Sequence, residues 1–235
     1  YNGGSGNKPT DGGLSGSAAG TSGWRHTYGT FPLTRGKWYW DYRFSGSVDG
    51  SNGIFMGLAH PDLTYERDPN SSSTDMYGRQ TDTRYSNGTN TASHFPSFSD
   101  GDTVQFAFDA DTGVMWSGVN NTWTGAEPST GNSPSYTGID ASKGYVPATG
   151  SYGSNNYNKV NFGQQGFKYT PPSGFKAICS EFMETPEVTI FNPKKHFRDL
   201  YYTGNGGTQS ITGLEFQPDF VWIKRRDGGQ HHALF

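Results

Sequence analysis

Hydrophobic and polar positions alternate most densely over residues 36–59, GKWYWDYRFSGSVDGSNGIFMGLA. In an extended chain successive side chains point to opposite faces, so Trp38, Trp40, Tyr42 and Phe44 share one face and Lys37, Tyr39, Asp41 and Arg43 the other. This predicts a strand with one face on a core and one in water. After the turn-rich residues 45–53, the run Ile54, Phe55, Met56, Gly57, Leu58, Ala59 is apolar on both faces, as in a strand at the centre of a sandwich. The two runs are expected to pair as an antiparallel hairpin.

A second alternating stretch, DTVQFAFDADTGVMWSGVNNTW, covers residues 102–123. Val104, Phe106 and Phe108 alternate with Thr103, Gln105 and Ala107, residues 109–113 turn the chain, and Val114 and Trp116 resume the pattern. A further turn over residues 118–121 leads to Trp123. Shorter strands are predicted over residues 145–150 and 159–162, and Pro171 with Pro172 ends regular pairing because neither donates a ladder hydrogen bond. The predicted core comprises Trp38, Trp40, Phe44, Met56, Leu58, Phe106, Phe108, Trp116 and Phe162.

Between these stretches the pattern weakens. Residues 1–23 are mostly Gly, Ser, Asn, Thr and Ala with one leucine, too little apolar surface to offset ordering, and are read as a flexible arm or linker. Trp24, Tyr28, Phe31 and then Pro32 read as a first strand and the approach to a second. Residues 61–99 are polar, with scattered Met76, Tyr77 and Tyr85, and read as a long loop, either a solvated insertion or a recognition segment.

Composition sharpens the fold class. With 34 glycines, 13 prolines, 15% aromatic and only 17% charged residues, the chain favours short strands and turns over helices. A net charge of −3 without a Lys/Arg-rich run argues against a nucleic-acid partner. No run approaches the roughly 18 apolar residues of a membrane-spanning helix, so membrane insertion is not expected. The single cysteine, Cys179, has no partner for an internal disulfide and is expected as a buried thiol.

Candidate chemistry is sparse. Asp109-Ala-Asp111-Thr-Gly113 opens like a calcium loop but has glycine at its fifth position and Asn120 at its twelfth, and is read as a turn. Glu181, Glu184 and Glu187 form the densest carboxylate series, read as a solvated connector and not as a glycosidase pair. His231 and His232 are adjacent and would point to opposite strand faces, poor geometry for one metal ion. No catalytic residue, metal site or cofactor is therefore assigned. The aromatics Tyr65, Tyr77, Tyr85, Trp123 and Tyr152 are the candidate ligand-binding residues, because Tyr and Trp among Asn, Ser and Gly supply rigid amphipathic contacts. The alternative is that they fold down over the sandwich or pack on another subunit.

GKWYWDYRF, IFMGLA, GDTVQFAFDADTGVMWSGVNNTW, GYVPATG and NFGQQGFKYTPPSGF occur in an order that resembles SPRY-like domains, in the version found in bacteriophage tail-fibre and other virion proteins. The resemblance implies an all-β, two-sheet antiparallel concanavalin-like sandwich over residues 24–176, which agrees with the alternating strands. It further implies a non-enzymatic virion structural or host-attachment protein, located on the virion in a tail fibre or other exposed appendage. Other virion proteins and a host-surface glycan or protein are its expected partners, and a homotrimer its expected oligomer. A polysaccharide-degrading tailspike enzyme and a capsid decoration protein without host contact are the alternatives. Residues 177–235 resemble a module that follows such domains, with strands expected over residues 188–191, 197–211 and 216–226, and read as the incomplete start of a second β-rich module. Phe220, Trp222 and Ile223 are expected to need covering by the rest of that module or by another subunit.

Overall fold

The computed structural model describes residues 2–3, 13–16, 23–46, 53–63, 68–69, 75–152, 157–179 and 192–235. The chain divides into two compact units, Tyr1–Met183 and Glu184–Phe235.

Among the described residues the first unit contains two sheets of seven and six strands in sequence along their edges, with one further strand beside the second. The first sheet runs β1 (Asn2–Gly3), β3 (Trp24–Tyr28), β12 (Val146–Tyr152), β5 (Gly53–Ala59), β6 (Met76–Gln80), β7 (Thr83–Ser86) and β8 (Thr89–Thr91). The second runs β11 (Thr122–Trp123), β10 (Val114–Val119), β9 (Thr103–Asp109), β4 (Lys37–Ser45), β13 (Tyr157–Asn161) and β2 (Ser15–Gly16). β14 (Lys176–Ala177) lies parallel to β4, beside Trp38 and Tyr39.

The sheets pack face to face, with Trp38, Trp40, Tyr42 and Phe44 of β4 and Phe106 and Phe108 of β9 in one buried cluster with Ile54, Met56 and Leu58 of β5. The predicted core residues are buried, except that Phe162 is half-buried at the cluster's margin. Trp116 is buried on the outer face of the second sheet, with Tyr39 and Phe175, while its neighbour Met115 faces the interior. Cys179 is half-buried, because it follows the last strand of the sandwich instead of lying within it.

The alternation over residues 36–59 is reproduced, but the hairpin is not. β4 pairs with β9 and β13, whereas β5 pairs with β12 and β6, so these consecutive strands belong to opposite sheets. The physical reason is burial on two sides: all seven residues of β5 are buried, which requires a strand on each edge and a layer on each face. Facing sheets lie about 10 Å apart, and a connection longer than a tight hairpin turn spans that gap.

The second face of β4 is also not a water face. Lys37 and Arg43 are exposed, yet Tyr39 and Asp41 are buried, Tyr39 beneath Phe167, Phe175 and Trp123. A period of two tells which residues share a face; it does not tell whether a later segment covers that face.

Residues 61–99 carry three strands where a loop was expected. β6 and β7 are joined through Thr81, with φ 46°, and β7 and β8 through Asn87-Gly88, with φ 48° and 80°. Two-residue turns with positive φ are the favoured hairpin connection. The alternation was faint because these strands approach the sheet edge, where β8 is exposed throughout, and so need few apolar residues. The hairpin of β9 and β10 forms as predicted: Asp109 Oδ1 accepts from the backbone N–H groups of Asp111 and Thr112, confirming turn chemistry at that site.

In the second unit, only β15 (Trp222–Ile223) and β16 (Ala233–Leu234) pair among the described residues, and residues 197–211 form no strand there. The predicted strand over residues 188–191 and the glutamates 181, 184 and 187 lie outside the described residues. Trp222 Nε1–H donates to His232 Nδ1 at 2.7 Å, which gives that imidazole nitrogen a structural role. Phe220, Trp222 and Ile223 are exposed within this unit.

Candidate functional site

Trp24 and Tyr152 are cross-strand partners at the end of the first sheet, their ring centroids 5.9 Å apart and their planes inclined by 59°. Both point to the outer face, because β3 places Trp24, His26 and Tyr28 on one side and register fixes the facing positions of β12. Behind Trp24 its ring lies parallel to His26 at 5.6 Å, and His26 parallel to Tyr28 at 6.1 Å. His26 and Tyr28 are buried, Trp24 is half-buried and Tyr152 is 41% exposed. A buried aromatic row thus braces the pair that reaches solvent.

Gly53, the partner of Tyr152 on its other side, supplies the floor. A Cβ there would stand 2.7 Å from Gln80 Nε2 and 3.0 Å from the Trp24 ring, so glycine is what lets both approach. Tyr85 donates its hydroxyl to Gln80 Oε1 at 2.8 Å, which turns the amide's N–H group toward Trp24. The result is an aromatic platform with an amide donor at its side, built on adjacent strands. Such a surface suits the apolar face of a ring-shaped polar ligand while bonding its hydroxyl groups.

The five aromatics singled out from sequence do not converge. Tyr152 lies on the platform and Tyr85 supports it from a buried position. Tyr77 is buried in the interior, edge-on to Tyr145 at 5.4 Å. Trp123 covers the opposite sheet, edge-on to Tyr39 at 6.4 Å. Tyr65 lies outside the described residues. Trp24, Gly53 and Gln80 were missed; the alternation Trp24, His26, Tyr28 against Arg25 and Thr27 is the signal that could have found the first.

Two polar clusters flank other parts of the sandwich. At the end opposite the platform, Asp75 Oδ1 accepts from Lys143 Nζ and from the Tyr145 hydroxyl, each at 3.0 Å. Burial alone would raise the Asp75 carboxyl, but these hydrogen bonds hold it below the usual carboxylate range. Under Phe167, Gln105 Nε2 donates to the Tyr39 hydroxyl at 2.9 Å and Tyr39 faces Asp41 Oδ2 at 3.5 Å. Burial pushes the Asp41 carboxyl up to about 6, and burial likewise raises the Tyr39 phenol. Both groups are enclosed, so this network joins β9 to β4 beneath the covering aromatics and offers no open reaction site.

Among the described residues no group of three or more His, Cys, Asp or Glu side chains comes together, and no helix is long and apolar enough to cross a membrane.

The SPRY domain of human HERC1 superposes on this chain with a TM-score of 0.51 at 16% sequence identity, over 66% of this chain and 91% of that one. The sandwich has the SPRY-like fold. Residues 192–235 match the model of a domain of unknown function, DUF7483. No curated protein matches the chain. The SPRY-like sandwich therefore accounts for the first unit, and at this identity the likeness speaks for fold alone.

Proposed function

We propose that this chain is a non-enzymatic virion structural or host-attachment protein, part of a phage tail fibre or a similar exposed appendage, and that its SPRY-like sandwich is an interaction module. The observation that carries the reading is the braced Trp24–Tyr152 pair, a rigid aromatic surface held on strands, with the Gln80 amide fixed beside it. Ligand sites on regular elements keep their geometry better than sites on loops. The ordered SPRY-like motifs in their phage-type version support the virion setting, in which other virion proteins are the structural partners.

On this reading the platform binds a glycan of the host surface by ring stacking and amide hydrogen bonding, without bond cleavage. The test is incubation of the protein with immobilised host-envelope polysaccharide. Reversible retention, lost on competition with the soluble polysaccharide, is the expected result. Depolymerisation would establish a tailspike enzyme instead, and neither retention nor cleavage would leave a decoration protein.

A further inference from the structure

Arg79 of β6 and Arg84 of β7 stand directly opposite one another in the strand register. Like charges across a strand pair repel, and a buried charge is costly unless compensated. Arg79 is fully buried. Its Nε and Nη2 donate to the Thr81 carbonyl, Nη2 also to the Pro96 carbonyl, and Nη1 reaches Ser117 Oγ at 3.5 Å. Phe95 and Phe98 lie against the guanidinium, their centroids 4.5 and 5.2 Å away. These contacts engage all three nitrogens of the guanidinium and leave its charge in place.

Arg84 donates through Nη1 to the Ser135 carbonyl at 3.2 Å and through Nη2 to Thr91 Oγ1 at 3.3 Å. Its Nε is buried without a hydrogen-bond partner, and so is the hydroxyl of the adjoining Tyr136, a residue only 2% exposed. Among the described residues neither arginine makes an ion pair; Asp82 acts on Arg79 electrostatically without touching it. Both guanidiniums act on the Tyr136 hydroxyl. His94 is close enough to feel the same pair, and burial followed by the charges of Arg84 and Arg79 holds its pKa down, which favours its neutral form.

We propose that Arg84 Nε and the Tyr136 hydroxyl, backed by the charge of Arg79, form a binding site for a small monovalent anion, a halide ion or a single carboxylate group. The two unpartnered groups donate, and the surrounding charge is positive, which selects an anion over a cation or a neutral ligand. Two remaining donors suit a monovalent ion; a phosphate has three or more oxygens to satisfy. Arg84 as a whole is half-buried, next to the exposed strand β8, while its Nε is enclosed. This site is separate from the Trp24–Tyr152 platform and stands or falls without it.

The test is the chloride-35 NMR line width of a chloride solution containing the 235-residue chain, with bromide diffraction from its crystals as a second measurement. Excess broadening is expected, reversed by bromide, lost in Arg84→Gln and weakened in Tyr136→Phe, with circular dichroism verifying that each variant is folded. Crystals grown in bromide are expected to show an anomalous peak within hydrogen-bond reach of Arg84 Nε and the Tyr136 hydroxyl. Displacement of chloride by acetate would extend the site to carboxylates, and failure of acetate would restrict it to halides. No excess broadening, broadening that both folded variants retain, or a water molecule at that position in the bromide crystals would overturn the proposal.

Discussion

Trp40 lies nearly parallel to Phe106, its cross-strand partner, with ring centroids 5.4 Å apart and planes 12° from coplanar. Both side chains are fully buried, so the pair joins the central strands of the second sheet and fills the interior at once. Trp40→Ala should cost about 3 to 5 kcal/mol, the range for deleting a large core aromatic. A double-mutant cycle with Phe106→Ala should reveal a coupling of about 0.5 to 1.5 kcal/mol. Urea unfolding measures both, and additive losses would remove the pairing from the account.

The buried N–H of the Trp40 indole has no hydrogen-bond partner. Trp40→Phe gives up ring volume but also removes a polar group that is unsatisfied in the fold. It should therefore cost clearly less than Trp40→Ala, again by urea unfolding. Equal losses in the two variants would show that the indole's outer ring carries the whole contribution.

Gly57 and Gly78 are cross-strand partners on β5 and β6. A Cβ on Gly57 would stand 2.2 Å from the Tyr77 carbonyl oxygen, and one on Gly78 would stand 2.3 Å from that of Met56. Since these obstacles are backbone atoms, the strands must separate to admit a methyl group. Gly57→Ala should lower stability by about 1 to 3 kcal/mol or more, seen as a lower midpoint of thermal unfolding. An unchanged midpoint would contradict the close approach.

Asp41 predicts a pH dependence. Burial raises its carboxyl from 3.8 to about 6 in the folded chain, so between those values the folded state holds the proton more tightly than the unfolded one. The stability this confers is fully present below the unfolded pKa and is lost as pH rises through about 6. At about 1.4 kcal/mol per tenfold change, the rise corresponds to about 3 kcal/mol. Relative to Asp41→Asn, the unmodified protein should lose about that much stability between pH 4 and pH 7. Parallel pH profiles from denaturant unfolding would refute it.

Trp24→Ala and Tyr152→Ala remove opposite halves of the platform, while Tyr85→Phe removes only the hydroxyl that holds Gln80. On the proposed function, the two alanine variants should abolish retention on polysaccharide. Tyr85→Phe should weaken it while near-ultraviolet circular dichroism still reports a packed sandwich. Full retention by all three would move the binding surface elsewhere.

What the sequence determined by itself is the set of strands with strong alternation and the faces they present. Trp38, Trp40, Tyr42 and Phe44 are read onto one face from spacing alone, because a strand's side-chain period is fixed by backbone geometry. The turn at Asp109 was legible for a similar reason: its hydrogen bonds join residues two and three apart. Partnership between distant segments was not legible. That β4 and β5 enter opposite sheets, that Phe167 and Phe175 cover Tyr39, and that Arg79 stands opposite Arg84 with both charges acting on Tyr136 all follow from long-range register and layering. The platform divides along the same line: Trp24 and Tyr152 are far apart in sequence, and only the pairing of β3 with β12 brings their rings together. Local periodicity specifies a side chain's direction, whereas its neighbour is chosen by burial summed over the whole chain, and that sum exists only in the folded sandwich.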